Sequence, residues 1–150
     1  FMNFLHKLVA LTKHAKRCVY IEMGKQHIND LTRIVEEEGG RVLNIWPITY
    51  YRKHPSFLLR ATFHPEQPVA SINLTGVDDE YTPRHAIQAD SRKGDVVCDL
   101  CTGRGLTART AHMLSRHFMG TELNPRRLAV IIDWIAQQGL TPKRITNVKL

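Results

Sequence analysis

The sequence predicts an α/β fold, and three observations predict it. Residues 93–123 read without a break as strand, glycine turn, helix and strand, which is a βαβ unit. Helix, strand and helix alternate over the first forty residues, and two β-rich runs joined by a short polar connection follow over 41–63.

Over 1–17, Phe1, Phe4, Leu5, Leu8, Val9 and Leu11 fall at helical spacing, with Lys7, Lys13, Lys16 and Arg17 on the other side and toward the end. That is an amphipathic helix, and the β-rich run 18–23 closed by Gly24 supplies a strand for it to lie on. Ile28, Leu31, Ile34 and Val35 line one face of a second helix over 28–38, which Gly39-Gly40 ends. A strand over 41–46 and 48–51 and a partner over 57–63, connected by 52–56, form a hairpin. Residues 64–79 lack periodicity and contain Pro65, Pro68, Gly76 and two adjacent aspartates, the composition of a loop. A short helix follows from Tyr81-Thr-Pro through Asp90.

The βαβ unit divides into a strand over 95–100, a turn over 102–105, a helix over 106–116 and a strand over 117–123. Val96, Val97, Cys98 and Leu100 make the apolar run of a parallel strand covered on both faces. Gly103 and Gly105 let the backbone turn sharply with no Cβ in the way, which leaves room for a ligand facing the positive end of the next helix. Glu122 follows about twenty residues on, where a carboxylate at a strand end can accept the hydroxyls of a ribose. A nucleoside-bearing cofactor fits. Gly103-Arg-Gly-Leu-Thr-Ala108 also satisfies the dinucleotide fingerprint G-x-G-x-x-A, so a nicotinamide-dependent oxidoreductase stands beside other nucleoside-binding functions. Pro125 opens a last helix over 125–138, with Leu128, Ile131, Ile132 and Ile135 inward and Gly139 as its stop, and 145–150 reads as a final strand.

Composition bounds the function. A chain of 150 residues with 43% hydrophobic content builds one substantial core, so one domain is expected. A net charge of +7 and a pI near 9.6 favour a polyanionic partner such as nucleic acid. No apolar stretch reaches membrane-spanning length and no signal peptide is recognisable, which implies a soluble, intracellular protein, cytoplasmic or nucleoid-associated. Three cysteines argue against a disulfide framework. Cys98-Asp-Leu-Cys101 has redox spacing, but Cys98 lies within a strand rather than at the opening of a helix. The eight histidines show no metal-ligand spacing, so no metal is expected.

Lys93-Gly-Asp-Val-Val-Cys-Asp-Leu-Cys-Thr-Gly-Arg-Gly-Leu-Thr107, followed by Phe118-Met-Gly-Thr-Glu-Leu-Asn-Pro-Arg-Arg-Leu-Ala129, resembles the S-adenosylmethionine-binding half of the DNA amino-methyltransferases, which methylate N6 of adenine or N4 of cytosine. Leu100-Cys101 stands where that family usually has Pro-Phe, and Arg104 where it has Ser between the glycines. The resemblance implies a doubly wound, mostly parallel sheet of the Rossmann-like class I methyltransferase type, with a terminal antiparallel hairpin. It divides a single domain into a catalytic-side half over 1–63, a loop over 64–80 and a cofactor half over 81–150. It implies S-adenosylmethionine as cofactor, held by Thr82, Asp99, Cys101, Thr102, Gly103, Gly105, Thr107, Glu122 and Asn124, and DNA as partner. The hairpin tip Tyr50, Tyr51, Arg52 and Lys53, aromatic and basic, suits a flipped base and its phosphates.

The family's catalytic tetrapeptide, Asp, Asn or Ser before Pro-Pro and an aromatic residue, is absent; no Pro-Pro occurs. In the family order it ends a strand just before the helix that here begins near Phe1. The resemblance therefore implies a fragment or subunit whose missing strand lies upstream or comes from a second polypeptide. A catalytically inactive module binding DNA or a partner protein is the alternative.

Overall fold

The computed structural model describes residues 1–50 and 53–145, which form two compact units, 1–92 and 93–150. Five helices and five strands are described: α1 Met2–Thr12, β1 Cys18–Met23, α2 Ile28–Glu37, β2 Arg41–Tyr50, β3 His54–Thr62, α3 Thr82–Asp90, β4 Val96–Asp99, α4 Leu106–Met113, β5 His117–Gly120 and α5 Pro125–Gln137.

The first unit is built on an antiparallel sheet in the order β1-β3-β2. The hairpin of the sequence reading is present, and β1 joins it on the far side of β3, from Cys18 opposite Thr62 to Met23 opposite Phe57. No parallel pairing occurs between these three strands, so the expected mostly parallel character is absent from this sheet. The sheet is buried on both faces. Val19, Ile21, Leu59 and Ala61 pack against Leu5 and Val9 of α1 and Leu31, Ile34 and Val35 of α2. On the other face Trp46, Ile48 and Leu58 pack with Leu74, Ile72 and Val77. The segment 64–79 is irregular, as its composition dictates, yet it fastens to the outer edge of β2: Gly76 N–H donates to Pro47 O, Thr49 N–H to Val77 O and Asp79 N–H to Thr49 O.

Several boundaries differ from expectation. α1 ends at Thr12 rather than 17, and only Leu5 and Val9 of its apolar residues are fully buried. β2 runs through Pro47 without a break, because the backbone of residue 47 faces outward and no ladder bond to β3 is lost. The hairpin connection is shorter than 52–56, since His54, Pro55 and Ser56 already pair with Tyr50, Thr49 and Ile48.

Among the described residues the second unit has one sheet, the parallel pair β4-β5, from Val96 opposite His117 to Asp99 opposite Gly120. The βαβ unit is confirmed. The covering of its first strand is not: Val96 is 61% exposed and Cys98 is exposed, because a two-stranded sheet leaves these side chains without a packing layer. α5 likewise buries Ile131 alone among its apolar residues, whereas Leu128 and Ile132, expected inward, are exposed. Of the final strand expected over 145–150, residues 146–150 lie outside the described residues and Ile145 is not in a strand.

Candidate functional site

The sequence places its candidate residues at the ends of β4 and β5, and the second unit brings them together there. β4 ends at Asp99, whose Oδ1 accepts from Cys101 N–H at 2.9 Å, so this carboxylate shapes the turn that follows. Thr102 is buried and ties three segments: its N–H donates to Thr121 O at 3.0 Å, its Oγ1 donates to Asp99 O at 3.1 Å, and its carbonyl accepts from Gly105 N–H at 2.9 Å. Thr121 Oγ1 donates back to Leu100 O at 2.6 Å. The turn is thereby fixed to the end of β5.

Gly103 and Gly105 both have positive φ, +58° and +87°, which L side chains rarely adopt. Their surroundings differ. A Cβ at Gly105 would meet Ile131 Cγ1 at 2.9 Å, so this glycine lets α5 approach the turn closely. At Gly103 the nearest atom is Cys101 O at 3.9 Å, which leaves backbone that a ligand can approach. Gly120 at the end of β5 has no room for a Cβ against Thr102 Oγ1 and the Phe118 ring. Gly120 belongs to the Phe118-Met-Gly-Thr-Glu run that carries the resemblance, but the sequence alone assigns it no packing role.

α4 begins directly after Gly105 with no side chain capping it, so its first N–H groups and the positive end of its dipole face the turn. Thr107 lies in that first turn, half-buried. Glu122 follows β5, and its Oε1 accepts from Asn124 N–H at 2.7 Å. Asn124 in turn caps α5: its Oδ1 accepts from Arg126 N–H at 3.0 Å and Arg127 N–H at 3.4 Å. A groove of about 380 Å³ beside the turn is lined by Arg104, Asn124, Arg126, Arg127 and Val130. Burial, and then the Asp99 charge, raises both the Cys98 and Cys101 thiols, which keeps them protonated and weakly nucleophilic.

The other candidates lie in the first unit. Thr82 is buried at the start of α3, where its hydroxyl donates to Asp78 O at 3.2 Å. At the hairpin tip Tyr50 is exposed and Lys53 has φ +62°, while Tyr51 and Arg52 lie outside the described residues. That unit also holds a polar cluster that nothing in the sequence announced. Arg60 is 2% exposed on the central strand; its Nε and Nη2 donate to the two oxygens of Asp90 at 2.9 and 2.7 Å, and Nη1 to Ala70 O at 2.9 Å. Tyr20 OH donates to the same carboxylate. Burial, followed by that hydrogen bond, holds the Tyr20 phenol far above its ordinary value, and burial pushes the Cys18 thiol up to about 11.

A glycine turn and an acid at the ends of adjacent parallel strands form the kind of site at which α/β proteins hold nucleoside cofactors, and comparison with known proteins gives this site a family. The chain has the fold of M1.HpyAVI in its complex with SAM, with a TM-score of 0.72 and 16% identity over 88% of this chain and 80% of that one. It is similar as well to TTHA0409 of Thermus thermophilus complexed with S-adenosyl-L-methionine, a protein classed with the DNA modification methylases, with a TM-score of 0.68 and 16% identity over 95% of this chain and 84% of that one. At such identity the likeness is one of fold. No curated protein matches the chain. A family model of the N6/N4 methyltransferase type, described as DNA methylase, matches residues 11–133 and so runs through both units and across the glycine turn. The chain belongs to the DNA methylase family.

Proposed function

We propose that this chain binds S-adenosylmethionine at the glycine turn and serves methyl transfer to an exocyclic amine of DNA, N6 of adenine or N4 of cytosine. The observation that carries the reading is the pairing of β4 and β5 in parallel, which sets the open backbone at Gly103 and the Glu122 carboxylate at the same end of one sheet. The fit to the cofactor rests on these residues: space beside Gly103, an uncapped helix start at α4, and a carboxylate after β5. Gly103, Gly105 and Thr107 would receive the methionine end and Glu122 the ribose, with Asp99, Cys101 and Thr102 holding the turn in shape. Asn124, whose Oδ1 is committed to α5, retains Nδ2 for the ligand. Thr82, in the first unit, is counted with them on the family resemblance alone. When bound, S-adenosylmethionine supplies a methyl group on a sulfonium centre.

On this reading the two units are parts of one doubly wound domain of the class I methyltransferase type, which the likeness to M1.HpyAVI over most of the chain supports. The hairpin tip from Tyr50 to Lys53 would meet DNA. The residues that localise the amine's lone pair are not among these 150, since no Pro-Pro occurs. They would come from further chain or a second polypeptide. The same observation favours a second reading, an inactive methyltransferase-like module, and methyl incorporation into DNA by the complete gene product separates the two.

Glu122→Gln tests the cofactor site. A hydrogen bond to a charged group is worth about 1.5–3 kcal/mol, so affinity for S-adenosylmethionine by calorimetry should fall roughly tenfold to a hundredfold. Unchanged affinity refutes the site, and preference for NAD over S-adenosylmethionine would restore the oxidoreductase.

A further inference from the structure

Arg104, Arg126 and Arg127 line one groove beside the glycine turn together with Asn124, and a second groove of about 340 Å³ adjoins it at Val130, lined by Arg109, Trp134 and Gln137 and by one acid, Asp133. Residues 126, 127, 130 and 134 follow one side of α5, so the two grooves form a single track along it. Arg104, Arg126 and Arg127 are exposed, and none makes an ion pair among the described residues. Two of the arginines occupy the first turn of α5, where the dipole is positive and no acidic residue offsets it. Lys93–Leu150 holds nine Lys and Arg against four Asp and Glu, so five of the chain's seven net positive charges are concentrated in this unit.

The shape of the track selects the anion. A compact phosphate would need a closed cradle, whereas this surface extends about 17 Å along α5, the length of about five base-pair steps at 3.4 Å each. Trp134 supplies an aromatic surface on the same track, with the Arg109 guanidinium 5.8 Å from its ring centroid and His112 edge-on to it. Arg109 Nε is buried without a hydrogen-bond partner, and its Nη2 reaches only Arg104 O at 3.3 Å.

We infer that the α4–α5 face of the second unit, led by Arg104, Arg126 and Arg127, is a docking surface for the phosphate backbone of duplex DNA. The inference rests on the DNA methylase reading but not on the cofactor, because backbone contacts form whether or not the turn is filled. These arginines hold the duplex without reading its sequence.

The experiment uses the complete protein and a duplex of arbitrary sequence with no S-adenosylmethionine added, and binding is measured across a salt series. Each phosphate contact contributes about 0.9 to the slope of log affinity against log salt concentration. In R126Q/R127Q the slope should become shallower by about two, with S-adenosylmethionine affinity unchanged. R126K/R127K keeps the charge and should retain the slope, which separates backbone contact from altered folding. An unchanged slope in the Gln variants overturns the inference. So does a fall in binding to an acidic protein surface, such as polyglutamate, with none to DNA. Failure of Glu122→Gln to weaken S-adenosylmethionine would refute the cofactor site while leaving this surface intact.

Discussion

A methyl group added at residue 105 would press on Ile131 and sit at φ +87°, whereas one added at residue 103 meets open space at φ +58°. Both substitutions carry the left-handed penalty of about 1–2 kcal/mol, and only the first adds overpacking of about 1–3 kcal/mol. Chemical denaturation should therefore show Gly105→Ala as the more destabilised, and Gly103→Ala as the one whose loss falls mainly on cofactor binding. These glycines were legible because few residues serve such a turn. Arg60, Asp90 and Tyr20 were not: their partnership spans 30 and 70 residues and has no periodic signature. Removing one member of a buried pair costs about 3–5 kcal/mol, so Asp90→Asn should lower the denaturation midpoint strongly, and Arg60→Met with Asp90→Leu should recover much of the loss. Cys18 and Tyr20 both hold their protons more tightly when folded. The contribution of Cys18 is complete below pH 9.0, the ordinary value of the thiol, and is lost as pH rises through about 11, whereas that of Tyr20 begins to fall only above pH 10.0 and goes on falling at higher pH. A denaturation series from about pH 8 to about pH 11 checks this, with the midpoint falling above about pH 9.

At the scale of elements, strands and helices were found where a single pattern governed them. β1 falls on the predicted residues 18–23, α2 ends within one residue of expectation, and Pro125 opens α5. What escaped was decided by neighbours. Leu74 is buried in an aperiodic segment because it plugs the sheet face below Trp46 and Leu58, and burial in a loop leaves no period to read. α5 shows the converse, for its apolar spacing is clear although most of that side is exposed. Its start depends on Asn124. Loss of an N-cap costs about 1 kcal/mol, so Asn124→Ala should destabilise the second unit by that amount, read as a small drop in melting temperature.

For the molecule as a whole, protection of backbone amides should divide along the chain. β3 is paired on both sides and Leu58–Thr62 is buried, while β4 and β5 pair only with each other among the described residues. Hydrogen exchange followed by mass spectrometry should find 57–62 slowest and 96–99 among the fastest strand residues, with added S-adenosylmethionine slowing 96–106 selectively. Uniform protection across the five strands would contradict this.

The segment along β2 also limits how the antiparallel sheet can grow. Its outer carbonyls and amides at Pro47 and Thr49 are already taken by Gly76, Val77 and Asp79, whereas the outer side of β1, Cys18–Met23, has no backbone pairing among the described residues. Among the described residues Cys18–Met23 is thus a wholly open border for an incoming polypeptide, and a peptide mimicking such a recruit should crosslink there and spare Pro47–Tyr50.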